Sequence, residues 1–292
     1  GEAVEVVTMP GGVDAVLTAT AAAVTAVSSS MMPSANDLDD DHRLRAARTD
    51  NAISAVLHTG YPVRHWDHDL GPELPHLFDV STAGTRRDLT PQPATGLRDA
   101  HADLSPDGSF IVTTWQQPAP AAATRSVLVR IDVATGERTV LVDDPDADLG
   151  LPAIAPDGRS VAFTRETLST PHRAPRTTLC VLTFGDRPAE LTSSWDRWPT
   201  SVTWTTDATS LIVTADDNGR GPIFAVDPVS GTVRPVVADD FTYTDVHATP
   251  GGELFALRSS YAAPPHPVRI DADGSVTVVP LVDLPELPGT LT

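Results

Sequence analysis

The densest group of chemically capable side chains is RHWDHDL, residues 64–70, which sets a guanidinium, two imidazoles, an indole and two carboxylates side by side. Imidazole and carboxylate are metal ligands and proton carriers. On an extended backbone, however, side chains alternate in direction, so His65 and His68, three apart, point to opposite faces. Zinc sites usually draw ligands from at least two segments, and no second cluster exists in the chain. No metal is therefore expected. The stretch reads either as a solvated turn or as a loop that touches substrate or a neighbouring domain. On the second reading Arg64, His65, Trp66, Asp67 and His68 are the substrate-channel or domain-interface candidates.

Other motifs fall short of the chemistry they imitate. A serine-hydrolase elbow needs G-x-S-x-G. The nearest match, GRSVA at 158–162, lacks the second glycine, and its Ser160 lies just after a tight turn. DDPDADLG at 143–150 imitates a calcium loop, but Leu149 and Ala155 stand where glycine and a bidentate glutamate are required. It reads as a linker. SSWDRWPTSVTW at 193–204 gathers three tryptophans, which suits packing between sheets better than a ligand platform. The remaining histidines, at 42, 58, 76, 101, 172, 247 and 266, are scattered singly, without a serine or cysteine that sequence alone links to them. No catalytic residue and no cofactor is assigned.

The elements that must carry these residues come from a repeat. SPDG at 105–108 returns as APDG at 155–158, with degenerate copies at 205–216 and 249–260. Each copy is a short apolar stretch, a tight turn, then an alternating strand. Proline presets the turn's backbone and glycine accepts a positive φ, so the motif is a hairpin signal. A second strand–turn–strand motif interleaves with it at 77–90, 128–142, 179–192, 223–237 and 267–280. Its turn glycines, Gly84, Gly136, Gly185, Gly231 and Gly274, are spaced 52, 49, 46 and 43 residues apart. Two hairpins per unit make four strands, and nothing between them reads as a crossover helix, so the sheets are antiparallel. The fold class is all-β: a β-propeller of about five complete four-stranded blades plus a partial one.

The expected blades are 12–91, 98–142, 151–193, 201–237 and 246–280, with residues 1–8 as the last strand of a preceding blade. An insertion at 31–60 contains a short capped helix within 37–57, its Leu44, Ala47, Val56 and Leu57 at roughly helical spacing. Residues 281–292 read as a linker toward a further domain.

Composition narrows the partners. The 292 residues carry a net charge of -19, which repels phosphate backbones and anionic lipid, so neither nucleic acid nor a membrane surface is expected. All 20 basic residues are arginine, which removes mechanisms that need an ammonium group. The single cysteine, Cys180, permits no internal disulfide and fits a reducing, cytoplasmic setting. No apolar run approaches the roughly 20 residues of a membrane span.

Together the SPDG and APDG hairpins, the alternating ATG-type turns, and the GYPVRHWDHDLGPELPHLFDV stretch ahead of RDLTPQ resemble one known family. It is the N-terminal propeller region of the prolyl oligopeptidase family of serine peptidases, of the bacterial acylaminoacyl-peptidase and dipeptidyl-aminopeptidase type. TolB-type propellers share the PDG hairpin, and a stand-alone propeller for protein interaction is the alternative. The resemblance implies a gating role. A propeller caps an α/β-hydrolase domain, admits short peptides and excludes folded proteins. That hydrolase domain is the expected partner, with the serine, aspartate and histidine lying outside this chain.

Overall fold

The computed structural model describes residues 5–58, 63–64, 66–67, 70–82, 84–120 and 123–280. His65, His68 and the expected linker at 281–292 lie outside the described residues, as do residues 1–4. The chain forms two compact units, Gly1–Pro145 and Asp146–Thr292.

The first unit holds two blades. One comprises β1 (Ala15–Thr18), β2 (Thr25–Met31), β3 (Leu74–Asp79) and β4 (Arg87–Asp88). The other comprises β5 (Ala102–Leu104), β6 (Phe110–Pro118), β7 (Thr124–Asp132) and β8 (Arg138–Val142). The second unit holds three. They are β9 (Ala147–Ile154) to β12 (Ala189–Glu190) with β10 (Ser160–Thr167) and β11 (Arg176–Thr183) between, then β13 (Pro199–Trp204), β14 (Leu211–Ala215), β15 (Ile223–Val226) and β16 (Val233–Val237). The last is β17 (Thr242–Ala248), β18 (Leu254–Ser260), β19 (Ala263–Ile270) and β20 (Val276–Val278). Within each blade every strand pairs antiparallel with its neighbours in sequence, giving five four-stranded sheets. The two alternating hairpins of the sequence are the two outer pairs of each sheet.

Burial explains the patterning. Middle strands have both faces covered, so LIVTA of β14 and IFAV of β15 are buried at every position and read as unbroken apolar runs. The outermost RTVLV of β8 has no buried residue. The first two blades share a core of Ala26, Leu77, Leu89, Ile111, Val127 and Val129. In the second unit, Ala162, Leu179, Leu211 and Val226 close one blade against the next, and Ile212, Ile223, Leu254 and Val268 close the following pair.

The tight turns are built alike. Gly108 N–H donates to Ser105 O at 2.8 Å, Gly158 to Ala155 O at 2.8 Å, Ala208 to Thr205 O at 2.9 Å and Gly252 to Thr249 O at 3.0 Å. The closing residue has a positive φ in all four, +73°, +69°, +58° and +89°. In the degenerate copy Ala208 tolerates a conformation for which glycine is the ordinary residue. In three of the four an aspartate caps the turn: Asp107, Asp157 and Asp207 accept the N–H of Ser109, Arg159 and Thr209.

Three such bonds, from the Thr205 hydroxyl, the Thr209 N–H and the Thr209 hydroxyl, hold the Asp207 carboxyl down to about 2. A carboxyl lowered on folding stabilises the fold above its unfolded value near 3.8, and that contribution is lost as pH falls through about 2. The stability difference between the wild type and Asp207→Ala, read from urea unfolding, is therefore expected to stay constant from neutral pH to about 5 and to shrink below about 4. A difference unchanged in acid would mean that the cap does not depend on the charge.

Two expectations are corrected. Residues 5–8 form no strand; Met9 instead lies buried against Val27, Met31 and Phe78 on one face of the first blade. The insertion's helix α1 (Leu38–Asp50) starts as expected, with Asp37 accepting the N–H of Asp40 at 2.8 Å. It ends at Asp50, so Val56 and Leu57 lie beyond it, and Ala47 is exposed. The only buried residue of α1 is Asp41: the helix is docked by a carboxylate, not by an apolar stripe.

Candidate functional site

In such a blade the tight turns after the first and third strands lie at one end. The connections after the second strand, and the linkers between blades, lie at the other. The long β2–β3 connection, residues 32–73, occupies that second end of the first blade.

Its attachment rests on Asp41, wholly buried, which accepts the Met32 N–H at 2.7 Å and Arg45 Nε at 2.9 Å. Arg45 also donates to Ser30 O at 2.9 Å and faces Glu73 at 3.5 Å. A carboxylate and a guanidinium thus tie the helix to the exit of β2 and the entry of β3. Farther along, Leu70 N–H donates to Val63 O at 3.1 Å and closes the loop that carries the sequence-predicted candidates. Arg64, Trp66 and Asp67 are exposed, Trp66 by 95%. At the feet of this loop Leu57, His58, Gly71 and Pro72 frame a cleft of about 210 Å³ with Pro33 and Arg98. The exposed indole of Trp66 and the side chains of Arg64 and Asp67 thus stand on a loop whose feet border a small cleft.

Sequence reasoning missed a pairing across strands. His76 on β3, 8% exposed, places Nδ1 2.8 Å from Asp88 Oδ2 on β4. The ladder sets Ser29 of β2 directly opposite His76. Serine, histidine and aspartate therefore share one sheet face, which imitates a hydrolytic triad. Ser29 Oγ, however, is sealed from solvent and makes no hydrogen bond. A nucleophile needs contact with its base and a path for substrate, so this trio belongs to the packing. The signal that would have found the pair is the hairpin register: His76 sits two residues before Phe78, the ladder partner of Asp88.

The tryptophan cluster divides. Trp204 is buried and donates Nε1–H to Ala153 O at 2.9 Å, and Trp195 meets Phe224 edge-on at 5.0 Å. Trp198 stays 46% exposed. The second unit also holds a polar knot that no sequence motif announced. Tyr243 Oη donates to Asp239 Oδ2 at 2.8 Å, Arg258 donates to the same oxygen at 2.7 Å, and its guanidinium lies 3.5 Å over the Phe241 ring. Burial first, then the Asp239 carboxylate, push the Tyr243 phenol far above its ordinary range. That phenol is a fixed donor, not an acid.

Five four-stranded antiparallel blades, one of them bearing a long connection after its second strand, define a β-propeller. Comparison with known proteins finds relatives of this architecture. Dipeptidyl-peptidase 5 of Aspergillus fumigatus is 26% identical over 235 residues, 70% of this chain but 31% of that protein. Among solved structures, the acylaminoacyl peptidase of Pyrococcus horikoshii superposes with a TM-score of 0.63 at 10% identity, covering 92% of this chain and 38% of that one. TolB of Acinetobacter baumannii gives 0.54 at 16% identity, covering 71% and 48%. No family model matches the chain. The resemblance to the propeller region of the prolyl oligopeptidase family is borne out by these peptidases, and this chain spans about a third of the length of the curated relatives it matches. No described helix is long and apolar enough to cross a membrane.

Proposed function

We propose that this chain is the substrate-admitting propeller of a prolyl-oligopeptidase-type serine peptidase, acting on short peptides in the cytoplasm. The reaction is carried out by an α/β-hydrolase domain reached through residues 281–292. The observation that carries this reading is the 26% identity to a dipeptidyl-peptidase over 70% of the chain. The peptidase-type structural neighbour, which covers 92% of the chain against 71% for TolB, supports it over the interaction-propeller alternative. Loops at the connection end, with Arg64, Trp66 and Asp67 outward, supply the surface that meets substrate or the hydrolase domain. Selection by size precedes chemistry, and a covered active site keeps bulk water from the acyl-enzyme.

The test is to read the coding sequence past Thr292 and assay the longer polypeptide on aminoacyl and acyl-peptide p-nitroanilides. A G-x-S-x-G followed by aspartate and histidine, with turnover that a serine-directed inhibitor abolishes, is expected. A stop codon directly after Thr292 in the intact gene would overturn the reading in favour of a stand-alone propeller.

A further inference from the structure

The chain has three asparagines, Asn36, Asn51 and Asn218, and only Asn218 precedes a glycine. Asn218 and Gly219, at φ +53° and +77°, form the tip of the hairpin between β14 and β15. Two successive positive φ values mark the tight turn that Asn-Gly favours. Asp217 and Arg220 pair across its base, N–H to O at 2.9 and 3.1 Å. Both turn residues are exposed, and nothing lies within 4 Å of where a Cβ at Gly219 would stand. Among the described residues no hydrogen bond engages the Gly219 N–H. The nitrogen that follows the Asn218 side chain is therefore bare, with neither a Cβ nor a carbonyl over it. Asn51 is the contrast: it precedes a residue with a Cβ, and the Ala52 N–H is held by Thr49 O at 3.0 Å.

We propose that Asn218 is a self-modification site, whose side-chain amide is lost without an enzyme. The Gly219 nitrogen gives its proton to solvent base and bonds to Asn218 Cγ. The Cγ–Nδ2 bond breaks, and the nitrogen leaves as ammonia. Water then opens the cyclic imide at either carbonyl, leaving aspartate or isoaspartate. The product acts beyond the turn, because the hairpin is tied on both sides. Asp217 Oδ1 accepts Asn218 Nδ2 at 2.8 Å and also Arg197 Nε at 3.0 Å, from the linker ahead of β13. Arg220 pairs with Asp240 at 2.6 Å, and the Tyr243 N–H donates to Gly221 O at 2.9 Å, joining the hairpin to β17 of the next blade. Aspartate at 218 replaces a donor to Asp217 with a second carboxylate that competes for Arg197. Isoaspartate also lengthens the main chain of a turn whose length sets the hairpin register. Asn218 is thus a one-way chemical timer at the seam between these two blades. The proposal does not rest on the peptidase reading.

The test is to age the folded 292-residue chain in mildly alkaline buffer and follow it by peptide mass mapping and isoaspartate-methyltransferase labelling. Loss of the amide is expected at Asn218, with Asn36 and Asn51 intact, and more slowly in mildly acidic buffer, because the attacking nitrogen must first lose its proton. The chain unfolded in urea gives the rate that the bare sequence allows. Asn218→Asp, the aspartate product at an exposed position, is expected to speed hydrogen exchange of the Tyr243 amide about fivefold, the size of one exposed ion pair, and to leave β10 and β11 unaltered. An intact Asn218 in the folded chain, under conditions that convert it in urea, would overturn the site. Unchanged Tyr243 exchange in both Asn218→Asp and the converted protein would overturn its action on the seam. Neither result bears on the peptidase reading, which stands or falls on the hydrolase sequence and turnover.

Discussion

Replacing Gly231 with alanine is expected to destabilise the second unit by about 3 kcal/mol, read as a lowered urea midpoint. Two contributions add. Gly231 has φ +70°, where an L-residue costs about 1–2 kcal/mol, offset by the stiffer unfolded chain by about 0.4–1 kcal/mol. A Cβ there also drives into the Leu191 carbonyl, its carbon only 2.9 Å away. That carbonyl is backbone, so relief requires moving one blade against the next, which costs a further ~1–3 kcal/mol. Gly185 is the internal control. It occupies the same turn of the preceding blade at φ +97°, and a methyl group added there would meet nothing within 4 Å; Gly185→Ala is expected to cost about 1 kcal/mol or less. Equal losses at both positions would show that the blade contact adds nothing. The close approach recurs: a Cβ at Gly136 would stand 3.3 Å from Leu89 O, and one at Gly274 would stand 2.6 Å from Val236 O. At Gly136, Gly231 and Gly274 the glycine of the second motif is thus as much an inter-blade spacer as a turn residue.

The second large effect is expected at Asp41. Asp41→Ala strips the Met32 N–H and Arg45 Nε of their shared acceptor. Breaking a buried ion pair from one side costs about 3–5 kcal/mol, and the lower end applies because Arg45 is 24% exposed. The loss is local. Helix α1 has no other buried residue, so hydrogen exchange of amides 38–50 is expected to accelerate while β6 and β7 keep their protection. The double variant Asp41→Ala/Arg45→Met, which removes both charges, is expected to recover part of the stability. Unchanged exchange in α1 would assign its docking instead to Leu38, which packs against the cluster of Met9, Val27, Met31 and Phe78.

These two sites mark what is legible in the sequence. The blades are, because the turns after their first and third strands demand proline, aspartate or glycine at fixed places and that demand repeats along the chain, the turn at 19–24 in the first blade alone lacking all three. Even Ala208, which departs from the glycine rule, keeps its aspartate cap and its strand pattern. The helix end is not legible: Val56 and Leu57 continue a helical spacing, but Asn51 caps the helix, its N–H donating to Ala47 O while the following Ala52 N–H donates to Thr49 O. Nor is Asp41, since an aspartate in an exposed-looking DDD run carries no sign of burial. The His76–Asp88 pair depends on register across two strands, and the Asp239–Tyr243–Arg258 knot on three segments meeting. Loop candidates such as Arg64 and Trp66 stand out by residue type alone.

The long β2–β3 connection leaves the sheet ladder at Met31 and rejoins it at Leu74, fastened near both feet by the same arginine. Variation inside it leaves the ladder's own hydrogen bonds intact. For protein engineering it is an exchangeable cassette: transplanting a relative's version between these two residues, with the Asp41–Arg45 clasp retained, replaces the exposed loop while leaving the scaffold unaltered.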